Sequence, residues 1–400
     1  MPRMIIFDDG LGQLAPMTDL RASFEVRTGV LTTAGRIDAH KPKTLAGYWV
    51  PEKLQEMVAE RANAPVNHLP KEEVVYCVNG RWAMPDPQLK LEVGQAAIEK
   101  ATGHIVAAML RRADAEYFLE TNQLHERVSI QELDKRLLYK YPWDVLSVLN
   151  ETISYDLSMV RMLDAVVPTG KTTIIGQHPV EVHRDADIKP NVVLDAELGP
   201  VAIHEQAVIR PNAVICGPCS IGRGSTITDG ALIKPNTVIG PMCKVGGEVG
   251  GTIFQGYSNK AHLGFLGDSW IGKWVNFGAG TTNSNLLNTY SEVAMRLSPE
   301  GPVHKTGLTF LGAFVGDHVK FSINTRIMTG TVIGTGSMIA TTAAPPGAVG
   351  RFAWLTDRGE QTFRFEKFLS TAKAMMKRRD REPTEAYIKV MRDLHNQHRS

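Results

Sequence analysis

The sequence predicts an α/β domain followed by a parallel β-helix and a short helical tail. The apolar run MIIF at residues 4–7 is typical of a buried first strand, and an aliphatic residue recurs at every sixth position through the middle of the chain. Helical spacing of apolar residues returns only after Pro345-Pro346. We therefore expect the α/β domain, with its connecting helices, at 1–165, the β-helix at 175–345 and the helical tail at 357–400.

Length and composition limit the classes of function. A chain of 400 residues, 43% hydrophobic and 22% charged, is expected to fold as more than one globular domain. A formal net charge of +2 gives no strong field for nucleic acid or an anionic membrane, so small molecules and copies of the same chain are the expected partners. The N-terminus MPRMIIFDDG has no apolar core of a signal peptide, and a cytoplasmic location is expected.

The central repeat has a period of six residues, which matches neither an α-helix nor an alternating strand. Short strands separated by tight turns produce this period in a hexapeptide β-helix, where each aliphatic side chain points inward. The residues in phase are Ile203, Ile209, Ile215, Ile221, Ile227, Ile233, Ile239 and Val245. The same spacing predicts further inward positions at Val182, Ile188, Leu194, Phe265, Ile271, Phe277, Val315, Phe321, Ile327, Ile333 and Ile339. Breaks near 246–260 and 284–310 are expected to be loops that leave the coil.

Cys216-Gly217-Pro218-Cys219 has the spacing of a thioredoxin-type redox pair. Such a pair is reactive only where a helix N-terminus or a cation lowers a thiol pKa. Cys219 instead occupies a position that the repeat reserves for small residues, and no helix follows it. We therefore expect buried, unreactive cysteines.

The ends of the chain contain ordinary α/β and helical signals. The first strand ends in Asp8-Asp9, whose carboxylates either ligate Mg²⁺ or simply begin a polar loop. The run VVYCVNGRWAM predicts a hairpin that turns at Asn79-Gly80. The basic run KRRDR at 377–381 is expected to be a solvated helix end.

Two consecutive segments of the β-helix carry a specific resemblance. They read His-Leu-Gly-Phe-Leu-Gly-Asp at 262–268 and Ile-Gly-Lys-Trp-Val-Asn-Phe-Gly-Ala-Gly-Thr at 271–281. These runs resemble the acetyltransferase half of the GlmU-like bifunctional UDP-N-acetylglucosamine diphosphorylase/glucosamine-1-phosphate N-acetyltransferases. The resemblance implies a left-handed β-helix, a homotrimer built through it, and acetyl-CoA bound between neighbouring coils.

The same resemblance implies roles for individual residues. His262 would be the general base that takes the proton of a sugar amine as it attacks the acetyl-CoA thioester, and an unperturbed imidazole suits that step. Asn276 would contact the acceptor or the acetyl group, while Ala279 and Asn285 would line the CoA site. The alternative from the residues alone is that His262 is an ordinary surface histidine.

One departure concerns the acceptor. The family carries a lysine pair before its histidine, and Gly250-Gly251 stands there in this chain; Phe265 also replaces the family's tyrosine. Because a sugar phosphate requires cations, either the acceptor differs or Lys244 and Lys260 take over this role.

The resemblance extends over nearly the whole chain to a bacterial branch of sugar nucleotidyltransferases. The segments that carry it are FDD at 7–9, LAPMTDLRA at 14–22, VRTG at 26–29, YPWD at 141–144 and GYSNKAH at 256–262. It implies that a sugar 1-phosphate attacks the α-phosphorus of UTP or a similar nucleoside triphosphate and releases pyrophosphate. Such a step depends on positioning and charge neutralisation.

The implied nucleotide site assigns Mg²⁺ to Asp8 or Asp9, and the phosphates to Arg21, Arg27 and Gly10. The two arginines are alternatively ordinary surface residues. The glycine-rich phosphate loop of these enzymes is reduced here to Asp8-Asp9-Gly10-Leu11-Gly12.

We therefore expect a sugar-1-phosphate nucleotidyltransferase coupled to a CoA-dependent amino-sugar-phosphate N-acetyltransferase in nucleotide-sugar synthesis of the UDP-GlcNAc type. Two alternatives remain: an acyltransferase with an inactive front domain, and a non-enzymatic trimeric scaffold.

Overall fold

The structure is a computed structural model that describes residues 2–160, 162, 164–166, 168 and 171–397. It divides into two compact units. The first comprises Met1–Leu14 and Leu20–Val145, and the second comprises Ala15–Asp19 and Leu146–Ser400. No described helix has both the length and the apolar character that a membrane crossing requires.

The first unit is built on a mixed six-stranded sheet. Its strands are β1 (Arg3–Phe7), β2 (Leu45–Trp49), β3 (Val74–Asn79), β4 (Gln95–Glu99), β5 (Ile105–Arg111) and β6 (Ser129–Leu133), in the order β2-β1-β3-β5-β4-β6. Strand β1 is parallel to both neighbours, whereas β5 is antiparallel to β3 and β4. The α/β expectation for this part of the chain is confirmed.

The helices of the first unit pack against the apolar side chains of the sheet. They are α1 (Thr33–His40), α2 (Glu52–Ala59) and α3 (Arg112–Thr121), and a 3₁₀ turn spans Ser23–Glu25. Helix α1 begins at Thr32, whose hydroxyl accepts a hydrogen bond from the Gly35 N–H at 3.1 Å, a usual N-cap. Phe7 of β1 packs edge-on against Phe118 of α3, with ring centroids 5.1 Å apart.

The hairpin predicted at Asn79-Gly80 is wrong. Strand β3 ends at Asn79 and pairs with β1 and β5 instead of with the segment that follows it. Gly80 is required by close packing, since a Cβ there would lie 2.7 Å from the Cβ of Phe24 and 3.0 Å from the Phe7 carbonyl oxygen. The Asn-Gly pair thus ends a central strand and holds no two-residue turn.

The second unit consists, over its described residues, of many short strands and three helices. Helix α4 (Pro142–Ser147) leads into it, and it contains α5 (Leu149–Met159), α6 (Phe365–Lys377) and α7 (Glu385–Gln397). In chain order its strands are β7 (Ala165–Val166), β8 (Thr173–Gly176), β9 (Val180–His183), β10 (Asp187–Ile188), β11 (Val193–Ala196), β12 (Val201–Ile203), β13 (Val208–Ile209), β14 (Val214–Cys216), β15 (Cys219–Ile221), β16 (Thr226–Ile227), β17 (Leu232–Ile233), β18 (Thr237–Ile239), β19 (Lys244–Val245), β20 (Glu248–Gly250), β21 (Ile253–Gly256), β22 (Asn259–Lys260), β23 (Phe265–Gly267), β24 (Trp270–Lys273), β25 (Thr282–Asn283), β26 (Ala294–Arg296), β27 (Val303–Lys305), β28 (Ala313–Val315), β29 (Lys320–Phe321), β30 (Arg326–Ile327), β31 (Thr331–Ile333), β32 (Met338–Ala340), β33 (Ala348–Val349), β34 (Ala353–Thr356) and β35 (Gly359–Thr362).

Most of these strands stack in parallel on three faces, as a β-helix requires. The first face runs from β9 through β12, β15, β18, β21, β24, β28 and β31 to β33. The second face runs from β8 through β11, β14, β17 and β20 to β23, and the third from β10 through β13, β16 and β19 to β22. Single bridges at Asn276 connect Asn259 to Lys320 and so continue the third face into β29, β32 and β34.

The six-residue ladder is confirmed as the core of this β-helix. Ile203, Ile221 and Ile239 pair on successive coils of the first face, and all the predicted residues from Ile203 to Val245 are at most 1% exposed. An inward Ile contributes roughly 1.5–3 kcal/mol by leaving water, so the stack supplies the main stabilisation of the unit. The left hand of the coil stays a prediction.

The loop predicted at 246–260 is absent from the described chain, because this segment forms coil strands β20, β21 and β22. The coil is instead shortened. Ile227 pairs with Val245, 18 residues later, whereas Val245 pairs with Lys260, 15 residues later. The shortening also shifts the register, so that Leu266, and not the predicted Phe265, pairs with inward Val249.

The excursion predicted at 284–310 is confirmed. The chain leaves the coil after β25, forms the antiparallel hairpin of β26 and β27, and rejoins the ladder at β28. The Leu311 N–H donates to the Asn285 carbonyl at 2.8 Å and holds the two ends of the excursion together.

The coil strands extend past 345 to β34, which pairs with β32, and the predicted helical tail is confirmed as α6 and α7. Phe368 and Met391 are buried between the two helices and the coil. All four cysteines are free thiols, and burial raises the pKa of Cys216 and of Cys219, as expected for cysteines that serve as packing residues.

Candidate functional site

His262 lies in the turn between the third and second faces, and its side chain is exposed. This turn belongs to the coil, not to an ejected loop. Asn259 bridges to Asn276, and Gly264 lies against the Thr281 carbonyl, each 17 residues further on. His262 and Ala279 therefore occupy equivalent positions on neighbouring coils, which stack about 4.8 Å apart.

The other residues assigned to acyl transfer lie on the same stretch of coil. Asn276 is an outward position of the third face, where its backbone N–H donates to the Val319 carbonyl at 3.0 Å. Ala279 is exposed in the adjoining turn, and its carbonyl accepts from the Asn324 N–H at 2.7 Å. Asn285 stands at the start of the excursion and donates from Nδ2 to an Asp268 carboxylate oxygen at 2.5 Å.

The two lysines proposed as replacements for the family's lysine pair are placed very differently. Lys244 is exposed on the third face. Lys260 takes an inward ladder position and is 2% exposed, with Nζ donating to the carbonyls of Gly246 at 3.0 Å and His262 at 2.9 Å. Burial lowers the pKa of Lys260 to about 8. Its ammonium group thus stabilises the His262 turn by hydrogen bonds from inside the coil and does not face solvent.

Close packing explains the glycines at the position of that lysine pair. A Cβ at Gly251, which has φ +57°, would lie 2.4 Å from an Asp268 carboxylate oxygen. Gly250 is covered by the side chain of Lys234, whose Cβ would be 3.0 Å from an added Cβ. Lys234 pairs with Glu248 at 3.2 Å and supplies a cation near this spot that the sequence did not single out.

A cavity of about 280 Å³ lies against the outward side of the third face, and we call it the third-face cavity. Its coil wall consists of Tyr257, Asn259, Trp274, Asn276 and Lys320, and its opposite wall consists of Ala374 and Met375 of α6 together with Arg378 and Arg379 just beyond it. Of the predicted site residues, only Asn276 lines it. Arg378 and Arg379 were missed because KRRDR has the composition of an ordinary solvated helix end.

The carboxylates at the end of β1 differ from each other. Both oxygens of Asp9 are engaged by buried Arg81, one at 2.9 Å from Nε and one at 2.5 Å from a terminal nitrogen, and Asn79 adds a bond at 2.8 Å. Burial raises the pKa of Asp9, but the hydrogen bonds and positive charge of Arg81 outweigh it and leave this pKa below its usual value. This donor set does not suit Asp9 as a metal ligand.

Asp8 is only partly buried and keeps more of its acceptor capacity. Its carboxylate accepts the backbone N–H of Ser23 at 2.8 Å and of Gly10 at 3.1 Å. Burial raises the pKa of Asp8 despite these two bonds. Each oxygen accepts one hydrogen bond and has a second lone pair, so Asp8 fits a magnesium ligand better than Asp9 does. Over the described residues there is no group of three or more His, Cys, Asp or Glu side chains that could cage a metal.

The structure places the three phosphate candidates in one unit but in different environments. Gly10 is exposed with φ +67°, a left-handed conformation that favours glycine. Arg21 is 3% exposed, whereas Arg27 is partly buried and donates to the Val30 carbonyl. The alternative that both are ordinary surface arginines is therefore wrong for Arg21. A role of either residue in phosphate binding stays a prediction.

Comparison with known proteins gives one family match and several similar sequences. Residues 4–162 match the family described as sugar nucleotidyl transferase. The bifunctional sugar-1-phosphate nucleotidylyltransferase/acetyltransferase of Sulfurisphaera tokodaii is 38% identical over 102 residues, which is 26% of this chain and 24% of that protein. The bifunctional protein GlmU of Methanococcus vannielii is 36% identical over 92 residues, or 23% of this chain and 22% of that one. The matches thus cover about a quarter of the length of these relatives.

Two solved structures align with more than half of the chain at low similarity. The acetyltransferase domain of PglB from Neisseria gonorrhoeae covers 67% of this chain and 98% of its own length, at 11% identity and a TM-score of 0.21. A hexapeptide transferase family protein from Anaplasma phagocytophilum covers 56% and 96%, at 15% identity and a TM-score of 0.19. The β-helix described above rests on its own strand pairing. By sequence, the chain is similar to the GlmU-like bifunctional nucleotidylyltransferase/acetyltransferases, and its residues 4–162 match the sugar nucleotidyl transferase family.

Proposed function

We propose that this protein is a bifunctional transferase of nucleotide-sugar synthesis. One activity joins a sugar 1-phosphate to a nucleoside triphosphate with release of pyrophosphate, and the other acetylates an amino-sugar phosphate with acetyl-CoA. The family match over residues 4–162 and the similarity to GlmU-like proteins support this combination. We further propose a homotrimer assembled through the β-helix and a cytoplasmic location, where both acetyl-CoA and nucleoside triphosphates are available.

The observation that carries the acetyl-transfer half is the exposed His262 one coil away from Ala279. The acceptor amine attacks the thioester carbonyl carbon, a C–N bond forms, the C–S bond breaks, and coenzyme A leaves as the thiol. His262 takes the proton that the amine nitrogen loses and passes it to the departing sulfur, which restores the neutral imidazole. Lys260 keeps the turn in place from below through its bond to the His262 carbonyl.

Release of free thiol from acetyl-CoA in the presence of glucosamine 1-phosphate tests this half. The variant His262→Ala is expected to lose activity by about 10²-fold or more, the usual contribution of a positioned general base. Leu263→Ala is the matched control, because Leu263 lies in the same turn and is 80% exposed. Equal activity of His262→Ala and wild type would remove His262 as the base.

For the nucleotidyl-transfer half, we propose Asp8 as the Mg²⁺ ligand and Gly10, Arg21 and Arg27 as the phosphate contacts, with UTP as the nucleotide. Bound Mg²⁺ would neutralise charge on the phosphates. The test is release of pyrophosphate from UTP and N-acetylglucosamine 1-phosphate, in wild type and in Asp8→Asn. The variant is expected to be much less active at equal Mg²⁺, and undiminished activity would exclude Asp8.

A second candidate function is an acetyltransferase whose front unit is catalytically silent. The observation that favours it is Asp9, whose two carboxylate oxygens are consumed by Arg81 and Asn79. Pyrophosphate release with any of several nucleoside triphosphates would exclude this candidate, and thiol release without pyrophosphate release would establish it.

A further inference from the structure

The third-face cavity combines three cationic side chains with aromatic and amide groups. Lys320 comes from the coil, and Arg378 and Arg379 come from the end of α6. Among the described residues that line the cavity, none is acidic. A concave site with two guanidinium groups, a lysine and no carboxylate favours an anionic ligand, because opposite charges attract more strongly in a partly enclosed site than in open water.

The coil holds two of these three side chains in place. The Lys320 Nζ donates to the carbonyls of Trp274 and His318, each at 2.8 Å, which leaves one N–H of its ammonium form for a ligand. Burial lowers the pKa of Lys320 to about 7, so the two arginines are the permanent charges of the cavity. Arg379 donates to the Asn259 side-chain oxygen at 3.0 Å. Arg378 lines the cavity and makes no side-chain hydrogen bond or ion pair within residues 171–397. Guanidinium groups suit phosphate oxygens because their N–H groups match the spacing of those oxygens.

The corner of the coil beside these cations carries three large side chains. Tyr257, Trp274 and His318 lie at one corner on successive coils, and each adopts a left-handed φ of about 60°. The Tyr257 and Trp274 rings are in contact, with centroids 4.5 Å apart and an angle of 32° between the ring planes. The equivalent corner residues of other coils, Gln206, Gly224, Met242, Gly336 and Phe352, also have a positive φ, so this conformation belongs to the turn of the coil. What Tyr257 and Trp274 add is an aromatic wall of the cavity.

We propose that the third-face cavity binds the phosphate group of a monosaccharide phosphate through Arg378, Arg379 and Lys320, with Asn276 directed at the sugar. The inference rests on the proposed function for the identity of the ligand. These residues supply the positive charge that Gly250-Gly251 do not. A volume of about 280 Å³ lies just below the range of roughly 300–1,000 Å³ that encloses drug-sized ligands. It therefore suits a sugar phosphate better than coenzyme A.

Calorimetric titration of the full-length protein with glucosamine 1-phosphate tests the proposal, with inorganic phosphate as competitor and with N-acetylglucosamine and coenzyme A as separate ligands. The double variant Arg378→Ala/Arg379→Ala is expected to bind glucosamine 1-phosphate at least tenfold more weakly than wild type. The matched control is Lys373→Ala/Lys377→Ala, which removes the same charge from exposed positions of the same helix outside the cavity and is expected to change affinity less than twofold. Arg378→Lys keeps the positive charge at this exposed position. It is expected to retain part of the affinity for glucosamine 1-phosphate if the ligand requires only the charge of Arg378.

The proposal is overturned if wild type binds no sugar phosphate, if coenzyme A binds at this cavity and the sugar phosphate does not, or if the control pair loses as much affinity as the arginine pair. Acetyl-transfer assays separate this inference from the proposed function. If the protein shows no transferase activity but binds the sugar phosphate in a way that depends on Arg378, the binding site in the cavity is supported and the acetyltransferase function is rejected. If the double variant transfers acetyl groups with an unchanged KM for the sugar phosphate, only the binding site in the cavity is rejected.

Discussion

Lys260→Met replaces the buried lysine of the ladder by an apolar side chain of similar length. The pKa of Lys260 falls from 10.5 to about 8 on burial, which corresponds to about 3 kcal/mol at 1.36 kcal/mol per pKa unit. The folded state bears this full cost below pH 8, where the lysine is charged both folded and unfolded. Between pH 8 and pH 10.5 the folded state releases the proton and the unfolded state keeps it, so stability rises with pH. Above pH 10.5 the cost is gone.

The methionine variant lacks this pH dependence. It also loses the hydrogen bonds to the Gly246 and His262 carbonyls, a cost of roughly 1–3 kcal/mol for each acceptor left unpaired that does not change with pH. The stability difference between Lys260→Met and wild type is therefore expected to shift against the variant by about 3 kcal/mol between pH 7 and pH 10.5. At roughly 2–4 °C per kcal/mol for a unit of this size, the difference in Tm changes by about 6–12 °C.

Thermal unfolding followed by circular dichroism from pH 7 to pH 10.5 measures this difference, and other titrating groups cancel because both proteins contain them. Lys244→Met is the matched control, since Lys244 is exposed one coil away on the same face. Its Tm difference from wild type is expected to stay constant with pH. A constant difference for Lys260→Met as well would refute the burial of a titrating ammonium group inside the coil.

Three further predictions follow from buried contacts. Arg81→Ala is expected to destabilise the first unit by roughly 3–5 kcal/mol, measured by denaturant unfolding, because it leaves the Asp9 carboxylate buried without its cation; an effect below about 1 kcal/mol would contradict this. Ile233→Ala is expected to cost about 2–5 kcal/mol through the cavity it leaves in the ladder, against less than about 0.5 kcal/mol for its outward neighbour Leu232→Ala. Iodoacetamide at pH 7.5 is expected to label Cys216 slowly, because burial raises its thiol pKa; rapid labelling would revive the redox interpretation.

The β-helix was predictable because its inward positions recur at a fixed spacing, and Ile203 to Val245 are buried as that spacing requires. The prediction failed where the spacing changed. A coil three residues shorter puts Lys260 and Leu266 inward, and no six-residue count can anticipate a lysine whose charge is satisfied by two carbonyls of its own coil.

Contacts between distant segments account for the other failures. Asn79-Gly80 has the composition of a hairpin turn, but Gly80 is selected by its contact with Phe24. Asp8 and Asp9 are equivalent in the sequence, and only the fold assigns Arg81 to one of them. Arg378 and Arg379 become cavity residues solely because α6 packs on the third face.

The excursion at 284–310 enters and leaves the coil at adjacent points, since Leu311 bonds to Asn285 and Leu286 bridges to Phe310. A loop with pinned ends adds little entropy cost as it grows, about 0.6 kcal/mol for each doubling of its length. Val293 and Met295 of this hairpin are buried against the coil, so the hairpin strands are kept. Its exposed tip between β26 and β27 can be lengthened or exchanged for a foreign peptide while the coils on both sides keep their alignment. Because the Leu311–Asn285 and Leu286–Phe310 contacts fix both ends of the excursion, a binding peptide could be inserted at this tip without changing the coils.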